Sequence, residues 1–165
     1  MIIREIRVED AGDFINLVKD VEHTSEFMLM EPGERKTTPE QLRKQLEVIK
    51  QQQNSTIFVG EDQGKLIGYL MAMGGSVKRT NHSAYLVIGI LKEYRGKGVG
   101  KSLFQNMMEW ASHHHITRLE LTTVTQNEAG VALYKKFGFD IEGTKRNSLV
   151  IEGKSYNEYY MAKLL

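Results

Sequence analysis

Ile88-Gly89-Ile90-Leu91-Lys92-Glu93-Tyr94-Arg95-Gly96-Lys97-Gly98-Val99-Gly100-Lys101-Ser102-Leu103-Phe104-Gln105-Asn106-Met107-Met108 decides how this chain is read. An apolar run from Ala84 to Leu91 ends here, and glycines follow at 96, 98 and 100. Val99, Leu103, Phe104, Met107, Met108 and Ala111 then recur with helical spacing. The reading is strand, glycine loop, helix. Glycines let successive backbone N–H groups turn into one hollow, and a helix start adds its own unpaired N–H groups and positive dipole end. Such a place suits a diphosphate, and Arg95 and Lys97 add charge. On the loop alone, a glycine-rich turn without a ligand remains the alternative.

Two familiar phosphate loops do not fit. The dinucleotide fingerprint spaces its glycines as G-x-G-x-x-G and opens the first βα unit of a parallel fold. The nucleotide P-loop needs G-x-x-x-x-G-K-[ST]; Gly100-Lys101-Ser102 ends that way, but Arg95 stands where the first glycine belongs.

Outward from the loop, the pattern predicts a mixed α/β chain. Residues 2–8 alternate as a half-buried strand, and Asp10 is placed as the N-cap of a helix carrying Phe14, Leu17, Val18 and Val21. Residues 23–38 read as irregular. Thr38-Pro39-Glu40-Gln41 opens a second helix with Leu42, Leu46 and Ile49 on its apolar face. Strands follow at 55–62, 65–77 and 83–91, the third apolar enough to be buried on both faces. Gly89 within it predicts a bulge or a close backbone approach. After the loop helix come a strand around Leu119–Thr123, a helix over 128–137 ended by Gly138, and strands at 139–151 and 154–163 turned by Glu152-Gly153. The order is β-α-α-β-β-β-α-β-α-β-β in one domain, residues 1–165.

The bulk numbers bound the function. A chain of 165 residues with 41% hydrophobic and 26% charged residues carries one sizeable core. The net charge of +1 shows no basic excess for nucleic acid. No run of about 18 apolar residues offers a membrane span. Met1 to Glu5 lacks the apolar core of a secretory leader, and there is no cysteine, so a cytoplasmic protein without disulfides, thiolate metal sites or a cysteine nucleophile is expected.

Arg95-x-x-Gly98-x-Gly100 resembles the [QR]-x-x-G-x-[GA] signature of the GNAT superfamily of N-acetyltransferases. Asn127-Glu128-Ala129-Gly130-Val131-Ala132-Leu133-Tyr134-Lys135-Lys136-Phe137-Gly138-Phe139 is similar to that family's N-x-x-A-x-x-L-Y-x-K-x-G-F block. The ending, from Phe139 through Glu142-Gly143 to Tyr156 and Tyr160-Met161-Ala162, resembles the bacterial branch that includes ribosomal-protein alanine acetyltransferases. The resemblance runs through essentially the whole chain in order. It implies the GNAT fold, a mixed, mostly antiparallel seven-stranded sheet flanked by four helices. It also implies acetyl-CoA as cosubstrate without a metal, transfer to a primary amine by direct attack in a ternary complex, and a homodimer.

Residue by residue, the resemblance places the CoA pyrophosphate on the amides of Arg95, Gly96, Lys97, Gly98, Val99 and Gly100, with Lys101 behind them. It places the CoA arm along the backbone of Ile88 and Ile90, where the fourth strand bulges and splays from the fifth, and beside Asn127 and Lys136. Tyr134 matches the tyrosine that protonates the departing thiolate; on spacing alone it reads as a packed aromatic. An amine of pKa near 10.4 must lose a proton before attack. Many relatives carry a glutamate on the fourth strand, whereas residues 84–91 hold no carboxylate. Candidate bases are Glu26, Glu31, Glu34, His82 and Glu120. Glu31 is the first choice, because the segment between the first two helices lines the acceptor site in the family.

Three other signals carry less. Consecutive His113-His114-His115 on a helix point in different directions and are a poor metal site. Phe27-Met28-Leu29-Met30 is either an adaptable acceptor wall or core. Lys78-Arg79 is too short a basic run for nucleic acid. The alternatives to an enzyme are a non-catalytic CoA-binding sensor on the same scaffold and a glycine-loop nucleotide binder.

Overall fold

The structure, a computed structural model, describes all 165 residues. Seven strands are β1 (Ile2–Glu5), β2 (Thr56–Asp62), β3 (Lys65–Gly74), β4 (Ser83–Ile90), β5 (Arg118–Val124), β6 (Asp140–Ile151) and β7 (Lys154–Leu164). Four helices are α1 (Ala11–Thr24), α2 (Pro39–Gln51), α3 (Val99–His113) and α4 (Glu128–Lys136). The expected element order and the mixed sheet are both present. Strands lie in the order β1-β2-β3-β4-β5-β7-β6, and only β4 and β5 run parallel.

Helices cover both faces of the sheet. Phe14 of α1 meets Tyr69 of β3 edge-on, with ring centroids 5.3 Å apart. Gly68, the preceding residue and so on the opposite face, faces Val99 of α3. One contiguous core of 31 buried residues joins the two layers. The α2 start is the reciprocal cap read from sequence: the Gln41 amide donates to the Thr38 hydroxyl (3.2 Å), and the Thr38 amide donates to the Gln41 side-chain oxygen (2.9 Å). Both hairpin turns put two consecutive residues at positive φ, Gln63 and Gly64 (49° and 79°), then Glu152 and Gly153 (51° and 76°). That backbone matches the twist of the strands it joins.

Several local expectations are corrected. The first strand stops at Glu5 instead of residue 8, and Val8–Asp10 form a 3-10 turn. Asp10 makes no side-chain cap to α1. Its carboxylate instead accepts from the Arg7 amide at 2.7 Å and from both terminal nitrogens of Arg4 at 2.8 and 2.9 Å. β3 ends at Gly74 rather than 77, where the Asn54 amide donates to the Gly75 carbonyl (3.0 Å) and ties off the turn. β4 buries Ala84 and Leu86, but Val87 and Ile88 are half-buried and Tyr85 is exposed. Its apolar run is the floor of a cleft, not a strand covered on both sides.

Candidate active site

The cleft begins where β4 and β5 part. Their ladder has three rungs, Ser83–Arg118, Ala84–Leu119 and Tyr85–Glu120, and none beyond. Tyr85 and Thr122 close the fork, with their hydroxyl oxygens 2.6 Å apart. Against β3, β4 keeps unbroken register from Gly68–Ile90 to Gly74–Ala84, so the strand splays without bulging. Gly89 answers to close approach instead: a Cβ there would stand 2.6 Å from the Tyr69 ring. An antiparallel strand directs alternate residues' polar groups to one neighbour. Ser83 accepts from Gly75 and Leu91 donates to Ile67, so the odd-numbered residues between them bond to β3. Leu86, Ile88 and Ile90 therefore turn their N–H and C=O groups toward the side that β5 has left. Ile90 shows this directly, since its carbonyl accepts from Arg95 Nε at 3.0 Å.

The glycine loop forms one end of the cleft. Gly96 and Gly98 have φ of 70° and 85°, and a Cβ at either would meet nothing within 4 Å. Backbone conformation, not space, requires glycine there. Gly100 is the reverse case, with ordinary φ and a Cβ that would lie 3.1 Å from Leu133 of α4. The first hydrogen bond of α3 runs from Ser102 to the Gly98 carbonyl, and no amide from Gly96 to Lys101 donates to a backbone acceptor. Six consecutive N–H groups thus stand free at the positive end of a 15-residue helix. They fit an anion of two phosphates.

Arg95 stands outside this set: its amide donates to the Lys92 carbonyl at 3.3 Å, so the amide contact expected of it from sequence is already taken, and its side chain serves the scaffold. Its guanidinium donates to the Thr24 carbonyl (3.3 Å), the Thr24 hydroxyl (3.3 Å) and the Ser25 hydroxyl (3.1 Å). It fastens the glycine loop to the C-terminus of α1, where a cation is favoured by the helix dipole. Lys97 lies over the Tyr94 ring at 5.5 Å from its centroid and does not line the cleft; Lys101 and Lys136 do. Asn127 caps α4, its side-chain oxygen accepting from the Gly130 amide at 3.2 Å, and it also borders the cleft.

Tyr134 projects from α4 into the layer between helix and sheet, packed edge-on against Phe104 and Phe139. It is 7% exposed. Every fully buried side-chain polar atom in the protein has a hydrogen-bond partner. The Tyr134 hydroxyl has none, so it reaches the cleft surface, of which Tyr134 is a lining residue. Burial, and then the nearby Tyr85 phenol, push its pKa up to about 12. It stays protonated at any physiological pH.

The cleft encloses about 1450 Å³ and runs from the glycine loop to the β6–β7 hairpin. Among the expected bases, Glu26 lines it. Glu31 and Glu34 are exposed and do not. His82 and Glu120 border a separate polar cavity of about 360 Å³, where Glu120 is paired to Arg118 at 2.8 Å. Sequence reading missed the carboxylates Glu22 and Glu158. Glu22 is 3% exposed and held by Arg35, whereas Glu158 is half-buried and accepts from the Ser148 hydroxyl at 2.5 Å. Alternation in β7 puts Glu158 on one face with Tyr156 and Tyr160, a signal present in the sequence but unused. Phe27, Met28 and Leu29 do form wall, without Met30. The His113 and His114 rings each bond back to their own helix, and His114 stacks on Trp110.

The acetyltransferase (GNAT) family model matches residues 21–139, which hold the splayed strand, the glycine loop and the Asn127–Phe139 block. The chain belongs to this family. An acetyltransferase of the GNAT family from Streptococcus pneumoniae is 32% identical, covers 99% of both chains and superposes with a TM-score of 0.96. Ribosomal-protein-alanine N-acetyltransferase from Brucella melitensis (22% identity, 100% of both chains, TM-score 0.86) shares the GNAT fold. So does yncA from Salmonella typhimurium, solved with its cofactor acetyl-CoA (19% identity, 99% of this chain and 93% of that one, TM-score 0.86). The L-amino acid N-acetyltransferase AaaT of Escherichia coli (strain K12) is 30% identical over 102 residues, 61% of this chain. Those residues span 63% of AaaT, a little under two thirds of that relative. No helix of this GNAT chain is long and apolar enough to cross a membrane.

Proposed function

We propose that residues 1–165 act as one acetyl-CoA-dependent N-acetyltransferase domain that acetylates a primary amine. The observation that carries this is the pairing of free loop amides, five of the six on cleft-lining residues, with an unpartnered Tyr134 hydroxyl on the same cleft. The amides of Gly96 to Lys101 bind the pyrophosphate, with Lys101 and Lys136 adding charge. The open edge of β4 at Ile88 and Ile90, with Asn127 opposite, aligns the CoA arm. Acetyl-CoA supplies an acyl group already activated as a thioester.

The amine nitrogen bonds to the thioester carbon and the carbon–sulfur bond breaks. Tyr134 gives its proton to the departing sulfur, and the phenolate left behind is reprotonated from solvent. Its high proton affinity favours hydrogen bonding to the sulfur over early ionisation. An amide of the β4 edge steadies the carbonyl oxygen as charge develops. Glu158 takes the proton lost by the amine. It replaces Glu31 in that role because it faces the cleft, is half-buried and has no cation paired to it. With no cysteine in the chain, direct attack needs no thioester-linked enzyme. In the same reading the chain works as a homodimer in the cytoplasm, which sedimentation and cell fractionation check.

A sensor without activity shares the loop but gives no work to a tyrosine hydroxyl left open on the cleft. Calorimetry with acetyl-CoA, followed by thiol release in the presence of candidate amines, tests the proposal. Saturable binding with amine-dependent release is expected. Absence of binding at millimolar ligand would overturn the reading.

A further inference from the structure

The segment between α1 and α2 is tied down at three points. At its start, Arg95 holds Thr24 and Ser25. At its far end, Arg35 grips the buried Glu22 carboxylate through contacts of 3.0, 3.1 and 2.8 Å. Between them, the Phe27 ring meets the Tyr156 ring of β7 edge-on, with centroids 5.7 Å apart. The segment therefore reaches from α1 to the final hairpin, with Phe27 lining the cleft on the way.

In the same cleft the β6–β7 wall offers two opposite charges. Lys145 and Glu158 are register partners across the two strands, and both line the cleft. Neither makes a salt bridge, and Glu158 is steadied by Ser148. A half-buried carboxylate and an exposed, unpaired ammonium on neighbouring strands match a ligand that carries both charges on one carbon.

We propose that the acceptor is a free α-amino acid, admitted under a roof that excludes a polypeptide N-terminus. Its amine meets Glu158 and its carboxylate meets Lys145. A peptide N-terminus has an amide where that carboxylate should be, and its chain would have to pass the Phe27–Tyr156 contact. This rests on the transferase reading above and adds the acceptor class.

The test incubates the full chain and acetyl-CoA with three sets of acceptors: the L-amino acids, the corresponding amines lacking the carboxylate, and hexapeptides with the same first residues. Acetylated products are quantified by mass spectrometry. Free amino acids should lead the amines by about tenfold in kcat/KM and the hexapeptides by about a hundredfold. Phe27→Ala should raise transfer to hexapeptides about tenfold, and Tyr156→Ala should do the same from the hairpin side of that contact. Lys145→Met should raise KM for the amino acid roughly tenfold more than for the amine without a carboxylate. The proposal is overturned if hexapeptides match the amino acids, if Lys145→Met affects both acceptors alike, or if a chain that binds acetyl-CoA acetylates none of the three sets. Failure to bind acetyl-CoA would instead overturn the transferase reading.

Discussion

The guanidinium of Arg95 donates to the carbonyl of Thr24, a residue 71 positions earlier, and so joins the phosphate loop to the last turn of the first helix. The arginine of the loop signature thus serves the scaffold twice, its amide donating to the Lys92 carbonyl and its side chain to the end of α1. Arg95→Ala should cost about 1 kcal/mol, since these bonds lie at the surface, and lower Tm by roughly 2–4 °C. Affinity for acetyl-CoA should fall less than tenfold, because the amides remain. A thermal melt and a titration on the same sample separate the two effects.

The loop glycines should respond in opposite ways. Gly98→Ala forces a Cβ into the left-handed region at about 1–2 kcal/mol and turns the free amides away from a common centre. CoA affinity should drop tenfold or more. Gly100→Ala meets the end of the flexible Leu133 side chain at 3.1 Å, which can shift by a few tenths of an ångström. Its loss in affinity should be several times smaller. Equal losses in the two variants would contradict the division between backbone conformation and space.

Tyr134→Phe removes a hydroxyl that no protein group holds, so folding and CoA affinity should survive while turnover falls about 10²–10⁴-fold. Unchanged turnover would remove Tyr134 from the chemistry. Its raised pKa also predicts a pH effect. The folded state holds the phenolic proton more tightly than the unfolded state, so the stabilisation is complete below pH 10 and lost as pH rises toward about 12. Denaturant midpoints between pH 9 and 11 should fall less in Tyr134→Phe than in the parent. Tyr69, shifted the same way mainly by burial, contributes in this window in both proteins.

Removing Glu22 leaves Arg35 of the roof segment without its partner. Glu22→Leu should cost roughly 1–3 kcal/mol, less than a fully buried pair because the Arg35 side chain is 28% exposed and can turn outward. Cleavage by trypsin within residues 25–38 should quicken in step. Adding Arg35→Met should restore part of the loss. If the double variant is no better than the single one, the ion pair is not what fastens the segment.

The fold was legible because its decisive signals are local. A strand, a glycine loop and a helix stand in direct succession, and Thr38 and Gln41 cap α2 from within four residues. Asp10 was misread because its partner, Arg4, competes from across a strand end, and no propensity for capping contains that ion pair. The loop amides were legible for the same local reason. The acid–base side was less so, since residues 26–34 and 145–158 meet only after folding. Glu31 stands in the expected segment but is exposed, while Glu158, the base proposed above, comes from a hairpin more than a hundred residues away.

The fork in the sheet has a consequence for the protein before any ligand arrives. Beyond Tyr85 and Glu120, β4 and β5 no longer pair, so the sheet possesses four edges, two at its rims and two inside it. Rim edges invite foreign strands, whereas interior edges are shielded by α3, α4 and the segment between α1 and α2. Only a slender chain with its own amide groups can thread between them and complete the missing rungs. In the proposed binding mode that slot is filled by the ligand, and the amides of Leu86, Ile88 and Ile90 should be where slowed hydrogen exchange first records it.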